Sequence, residues 1–246
     1  MFLVPIEHKM RLSKYLARHG VASRRECESI ISKGRVKVED QIISDPAFDV
    51  NEKAIVVLDG HALVNLADSK FTYIMLNKPA GVTSTMQSDT QNDLTIADLV
   101  EFPSRIFPVG RLDRNTVGLI LLTDNGDLTN KLTRPGSQVK KEYVLRLQRS
   151  LSRPDLQKLG RGVLIDNRIV EVDDITILGK NRISIVIHEG RRHIIRRLFG
   201  ALHHRILELK RVRIASLSLG RLSLGKWRKL YNAEIKALLE VEKSIG

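Results

Sequence analysis

Leu119-Ile120-Leu121-Leu122-Thr123 is the segment that most narrows what this chain can fold into. It is apolar, short enough for a strand buried in a core, and far below the roughly 18 residues of a membrane span. It follows directly on Phe107-Pro108-Val109-Gly110-Arg111-Leu112-Asp113-Arg114-Asn115-Thr116-Val117-Gly118, where one carboxylate stands between two arginines and glycines punctuate both ends. A polar loop carried by a core strand is where chemistry tends to be placed, since the strand is rigid and the loop accessible. Residue types alone leave a second reading open: a surface turn in which Asp113 accepts a local backbone hydrogen bond and both arginines face water.

Further strand patterns lie at 71–76, 142–147, 163–165, 175–178 and 183–187, with a loop from Asn77-Lys78 onward. Thr95-Ile96-Ala97-Asp98 opens a short helix, and another runs through Leu128 and Leu132 to end before Pro135. Ser152 caps a helix stopped by Gly160; one from about Arg191 turns Ile194, Ile195, Leu198, Ala201 and Leu202 inward. Many strands, few helices and no regular βαβ alternation predict an α+β domain with a mixed, mainly antiparallel sheet flanked by helices. Ahead of it, a helix from Arg11 buries Leu12, Leu16 and Ala17 and stops at Gly20. Ser23-Arg24-Arg25-Glu26 is a capping box for a second, with Cys27, Ile30 and Ile31 inward and Gly34 as its end. Strands at 35–38 and 54–58 complete a small module. The expected organisation is a tail over 1–9, a module over 10–64, a linker over 65–70 and a larger domain over 71–246.

The formal charge of +13 is concentrated. Residues 9–37 hold nine Lys/Arg against two Glu, and residues 188–230 hold twelve against two, while the stretch between 71 and 187 is nearly balanced. Two basic blocks suggest two footprints for a polyanion; Arg11, Lys14, Arg18, Arg24, Arg25 and Lys33 are expected on exposed helix faces. The basic segments lack the broad apolar face of a membrane-lying helix, so no membrane partner is expected. One cysteine, Cys27, rules out an internal disulfide or a thiolate metal cluster. The first residues lack a signal-peptide pattern, and a cytoplasmic chain is expected. Gly220-Arg221-Leu222-Ser223-Leu224-Gly225-Lys226 has P-loop glycine spacing, but Trp227 stands where Ser or Thr must hold magnesium. No dinucleotide-binding glycine turn, zinc-spaced histidines or serine-hydrolase elbow occurs, so the expected reaction needs neither metal nor cofactor, a nucleotide cofactor included.

Residues 11–58 resemble the small alpha-L RNA-binding module of ribosomal protein S-four. The resemblance is carried by Arg11-Leu12-Ser13-Lys14-Tyr15-Leu16-Ala17, Gly20-Val21-Ala22-Ser23-Arg24-Arg25 and Ile31-x-x-Gly34-x-Val36-x-Val38. Glu39-Asp40 departs from it, standing where that family has an Asn-Gly turn. Residues 11–232 as a whole resemble the pseudouridine synthases that act on ribosomal RNA, of the small-subunit synthase A and large-subunit synthase B, E and F type. The motifs are Asn77-Lys78-Pro79-x-Gly81-Val82, Val109-Gly110-Arg111-Leu112-Asp113-x-x-Thr116-x-Gly118-Leu119, Asp124-x-Gly126-x-Leu128, Lys141-x-Tyr143 and Glu189-Gly190-Arg191-x-x-x-Ile195-Arg196-Arg197-Leu198-Phe199. The resemblance implies isomerisation of a uridine in rRNA or a pre-ribosomal particle by a monomer, with the large-subunit synthase B pattern nearest. Small-subunit rRNA, or a non-catalytic rRNA-binding assembly factor, are the alternatives.

By that resemblance Asp113 is the nucleophile or base at the sugar, as the carboxylate is in retaining glycoside chemistry. Arg196 is its cationic partner, or else a phosphate contact. Tyr143 is the ring on which the flipped uracil stacks, or else a core tyrosine. Arg111 fills the space the uridine leaves, or clamps phosphate. Lys78, Arg114, Arg191, Arg192 and Arg197 are expected to contact RNA.

Overall fold

A computed structural model of the chain describes residues 9–63, 71–87 and 93–244. It divides into two compact units between Phe71 and Thr72. The linker expected over 65–70, and the expected tail as far as residue 8, lie outside the described residues.

The first unit runs β1 (Lys9–Arg11), α1 (Leu12–Arg18), α2 (Arg24–Ser32), β2 (Val36–Val38), β3 (Gln41–Ile43), β4 (Asp49–Asn51), β5 (Val56–Leu58) and β6 (His61–Ala62). Lys9, expected in a tail, pairs with Asn51 as β1 joins β4. The remaining strands form a sheet in the order β3-β2-β5-β6. The capping box is present in both directions: Ser23 Oγ accepts from Glu26 N, and Glu26 Oε2 accepts from Ser23 N at 2.7 Å. Leu12, Tyr15 and Leu16 of α1 and Cys27 and Ile31 of α2 pack with Val36, Val38, Val50 and Val56 in one core. Glu39 and Asp40 both adopt positive φ, 46° and 66°, as a two-residue hairpin between right-twisted strands demands. Neither is the glycine or asparagine such a turn favours; Glu39 Oε1 accepts from Ile55 N at 2.9 Å and so ties the turn to the neighbouring strand.

The second unit contains β7 (Tyr73–Lys78), β8 (Phe107–Pro108), β9 (Val117–Thr123), α3 (Gly126–Thr133), β10 (Lys141–Leu147), α4 (Arg153–Arg161), β11 (Val163–Ile165), β12 (Arg168–Val170), β13 (Asp174–Gly179), β14 (Arg182–Ile187), α5 (Ile194–Ala201), β15 (Ile206–Ile214), β16 (Leu217–Ser218), β17 (Trp227–Lys229) and α6 (Asn232–Ser244). Its sheet has the order β13-β14-β10-β15-β9-β7-β17, with β16 beside β15 and β8 beside β9. Every pairing is antiparallel except β15 with β9. The apolar run after Asp113 is thus a central strand whose Leu119 to Leu122 are all fully buried. Alternation along the strands turns Ile74, Leu76, Ile120, Leu122, Tyr143, Leu145 and Leu147 to one side, where they join Ile194, Ile195, Leu198 and Phe199 of α5 in the main core.

Three local expectations change. Gly160 lies inside α4, which ends instead at Gly162 with φ 84°. Ala201 is exposed at the end of α5, and Phe199 is the residue buried there. Strand β7 extends through Lys78, so Lys78 is not in a loop.

Candidate active site

Asp113 sits where two loops interlock. Ser84 Oγ donates to Leu112 O at 2.8 Å and accepts from Leu112 N at 3.1 Å, fixing the residue before it. On the other side, Arg114 O accepts from Gly81 N at 2.9 Å and from Lys78 Nζ at 3.2 Å, while Arg114 Nε donates to Gly81 O. Thr116 N closes a turn on Asp113 O at 2.9 Å. The backbone carrying the carboxylate is therefore held from both flanks, while the side chain itself stays 29% exposed.

The strand registers align one transverse row on the core-facing side. Lys78 of β7 pairs with Gly118 of β9, Gly118 with Arg211 of β15, Arg211 with Tyr143 of β10, and Tyr143 with Ile185 of β14. Paired residues share a face, so the row sets Lys78, Arg211 and Tyr143 in line on the side of the sheet that α5 covers. Gly118 makes that possible. A Cβ there would stand 2.2 Å from Arg211 O and 2.8 Å from Arg211 N, and its φ of 108° is itself unfavourable to side chains.

Two of these cations are buried. Lys78 is fully enclosed, and its ammonium donates to Pro79 O and Val82 O at 2.8 Å besides Arg114 O. Burial pushes its pKa down to about 8; the Asp113 charge opposes that shift and Arg211 adds to it. Arg211 is 3% exposed and donates from Nε to Leu119 O at 2.9 Å, and its Nη2 has no partner among the described residues. Lys141, two residues before Tyr143, bonds Val139 O and His188 O, and burial followed by Arg211 pushes it also to about 8. Lys78, Arg211 and Lys141 thus form a bed of three basic groups, of which Lys78 feels the charge of Asp113.

The expected site residues separate on this geometry. Asp113 and Tyr143 belong to the same domain, Tyr143 being 8% exposed within the core cluster. Arg196 does not pair with Asp113: its Nη2 donates to Asn115 O at 3.4 Å, two residues along the same loop. The side chain beside the carboxylate is His193, with Nε2 3.4 Å from Asp113 Oδ1. His193 holds a left-handed φ of 54° at the start of α5, and that turn directs the ring to the loop. Arg111 is exposed on the rim of a cavity of about 680 Å³ that Ser84, Thr85 and Phe102 also line.

Of the RNA-contact set, Arg24, Arg25 and Arg192 are exposed, and among the described residues they form no ion pair. Lys14 is half-buried. Arg11 pairs with Asp49 at 3.4 Å, Arg18 with Glu52 at 3.0 Å and Arg114 with Asp93 at 3.1 Å. Arg197 pairs with Asp166. Lys78 faces inward and has no surface left for RNA, because its three donors are already spent on carbonyls. Arg191 also turns inward, donating to Glu189 and to Ile165 O at 3.1 Å. Ser84, His193 and Arg211 carry no motif that would single them out in the sequence. Among the described residues no cluster of His, Cys, Asp or Glu has the arrangement of a metal site, and no helix is long and apolar enough to cross a membrane.

Comparisons with known proteins agree with one another. Residues 72–201 match the RNA pseudouridylate synthase family and residues 10–56 the S4 domain. An uncharacterized RNA pseudouridine synthase of Aquifex aeolicus is 36% identical over 97% of the chain and 96% of its own length. The ribosomal large subunit pseudouridine synthase B of Bacillus subtilis is 34% identical over 93% of the chain and 95% of its own length. The dual-specificity RNA pseudouridine synthase RluF of Salmonella typhi is 32% identical over 94% of the chain and 79% of its own length. A crystal structure of a pseudouridylate synthase superposes with a TM-score of 0.67 at 26% identity, covering 93% of the chain and 99% of that protein.

Proposed function

The chain belongs to the RNA pseudouridine synthase family, and from that premise we propose that it converts a uridine of large-subunit ribosomal RNA to pseudouridine, with Asp113 as the catalytic carboxylate. The observation that carries the assignment is the placement of Asp113: a partly exposed acid on a doubly clamped loop, beside His193 and within reach of the charge on buried Lys78. The subunit rests on the name and similarity of the Bacillus relative.

The reaction breaks the bond from C1′ to ring N1 and forms one from C1′ to ring C5. The proton on C5 leaves and N1 gains one, so composition is unchanged and no oxidant or water is consumed. An ionised carboxylate at the sugar answers the positive character that develops when the first bond breaks, by attacking C1′ or by removing a neighbouring sugar proton. Clamping the Asp113 backbone fixes where that charge stands before the substrate arrives, which is the source of most electrostatic catalysis. The detached uracil must turn without escaping, and the flat face of Tyr143 gives it a surface that tolerates rotation. Arg111, exposed at the rim, is suited to enter the stack that the everted nucleotide vacates. Exposed Arg24, Arg25 and Arg192 supply phosphate contacts.

The test is Asp113→Asn on the full chain with an rRNA transcript. Pseudouridine formation should vanish while RNA affinity and its salt dependence persist. Equal product from the variant and the wild type would remove Asp113 from the chemistry, and a wild type that binds the transcript but forms no product would leave only an RNA-holding role.

A further inference from the structure

The face of the large sheet turned away from Tyr143 is covered unevenly. Alternation sends Val144 and Arg146 of β10 to that face, and the registers bring Lys210 beside Val144, and Arg182 and Glu208 to either side of Arg146. With Arg221 from the turn after β16, these residues line an open groove of about 590 Å³. Arg182 lies directly opposite Arg146 across the β14–β10 pair. Like charges placed so destabilise a sheet; Glu208 pairs with Arg146 at 2.6 Å and feels Arg182 more weakly, one acid against the two arginines. Arg182, Lys210 and Arg221 form no ion pair among the described residues. The fold thus carries a surplus of three cations over one groove, at a cost to its own stability.

We propose that this groove is a second contact for the backbone of the RNA substrate, outside the nucleotide held at Asp113. The inference rests on the reading of the substrate as RNA. Charge complementarity selects a polyanion. Arg182 on β14 and Lys210 on β15 stand two strand spacings apart and two residues out of line, roughly 12 Å between backbones, so they answer separate phosphates of a chain and not one isolated anion. The wall formed by Gly220 to Leu224 has the glycine spacing noted in the sequence, but it leads into strand β17 and not into a helix N-terminus that would cradle a nucleotide's phosphates. Groove binding leaves Asp113, Tyr143 and their clamps untouched, because it uses the opposite side chains of the same strands.

The experiment compares the full chain with the triple variant Arg182→Gln/Lys210→Gln/Arg221→Gln. Binding to a labelled large-subunit rRNA transcript is measured across a salt series. Losing three phosphate contacts should reduce the slope of log K against log salt by about two to three, and weaken binding by about tenfold or more near physiological salt. The charge-keeping variant Arg182→Lys/Lys210→Arg/Arg221→Lys should retain the wild-type slope. Removing three exposed charges elsewhere, with Lys158→Gln/Arg161→Gln/Arg168→Gln, should change it by well under one. In single turnover with saturating RNA the groove variant should match the wild type. A groove variant with the wild-type slope, or one no different from the control triple, overturns the proposal. Pseudouridine in the same transcript is scored separately, so an inactive wild type that still binds RNA through the groove would end the enzymatic reading alone.

Discussion

Lys78→Met should flatten the alkaline stability of this protein. Burial lowers Lys78 from 10.5 to about 8. Between those values the unfolded chain holds a proton that the folded chain has released, so stability rises with pH across that window. Below about pH 8 both states are protonated, and the enclosed ammonium is a constant penalty. A window about 2.5 wide in pH corresponds to roughly 3 kcal/mol, at about 1.4 kcal/mol for each pH unit. Lys141 is lowered to a similar value, so the wild type carries two such groups and the variant one. Urea unfolding of both proteins at about pH 7, 9 and 10.5 reads the effect through the linkage slope. The stability difference between wild type and variant should widen in favour of the wild type by on the order of 3 kcal/mol from the lowest pH to the highest. A difference that stays constant would refute the burial argument and return Lys78 to solvent.

Gly118→Ala should cost more than roughly 3 kcal/mol in thermal or urea unfolding, because its methyl group meets the Arg211 backbone and not a movable side chain. Gly126→Ala, with nothing within 4 Å of its added carbon, should be close to neutral in the same assay. Asp155→Ala removes a capping box and the Nε2 partner of buried His204; a loss of about 2 kcal/mol is expected near neutrality. The Asp155 carboxyl is held well below its ordinary 3.8 by Ser152 first and His204 after it, so this deficit should shrink as pH falls below 3.8 and the wild type loses its advantage. His193→Gln should lower the single-turnover rate roughly tenfold at unchanged RNA affinity, since it frees the carboxylate without touching a phosphate contact.

What could be read from sequence was local. Ser23 and Glu26 announce a helix start because both partners of the capping box lie within four residues, and Ser152 with Asp155 repeats the pattern. The apolar run after Asp113 announces a central strand for the same reason. Lys78 misleads because a lysine ending a strand ordinarily reaches water; only the convergence of Pro79, Val82 and Arg114 carbonyls makes its burial tenable. Arg211 hides in Ile206-Leu207-Glu208-Leu209-Lys210-Arg211-Val212-Arg213, where charges on both phases mask which face is buried. His193 carries no sequence mark of its place, since the left-handed turn that aims it is set by the start of α5 and by the Asp113 loop. Its pairing with Asp113, in the position expected for Arg196, is a long-range fact that no local pattern encodes.

The row formed by residues 78, 118, 211 and 143 also dictates when this protein can work. Its parallel step joins Gly118 to Arg211, segments about ninety positions apart, a slow closure compared with hairpin formation. A chain emerging from the ribosome therefore has Lys78 and its acid long before it has Arg211, and gains turnover only after β15 has left the exit tunnel. Cutting the gene between those segments should yield two inert halves whose mixing, if it restores product, would report docking of the last strand directly.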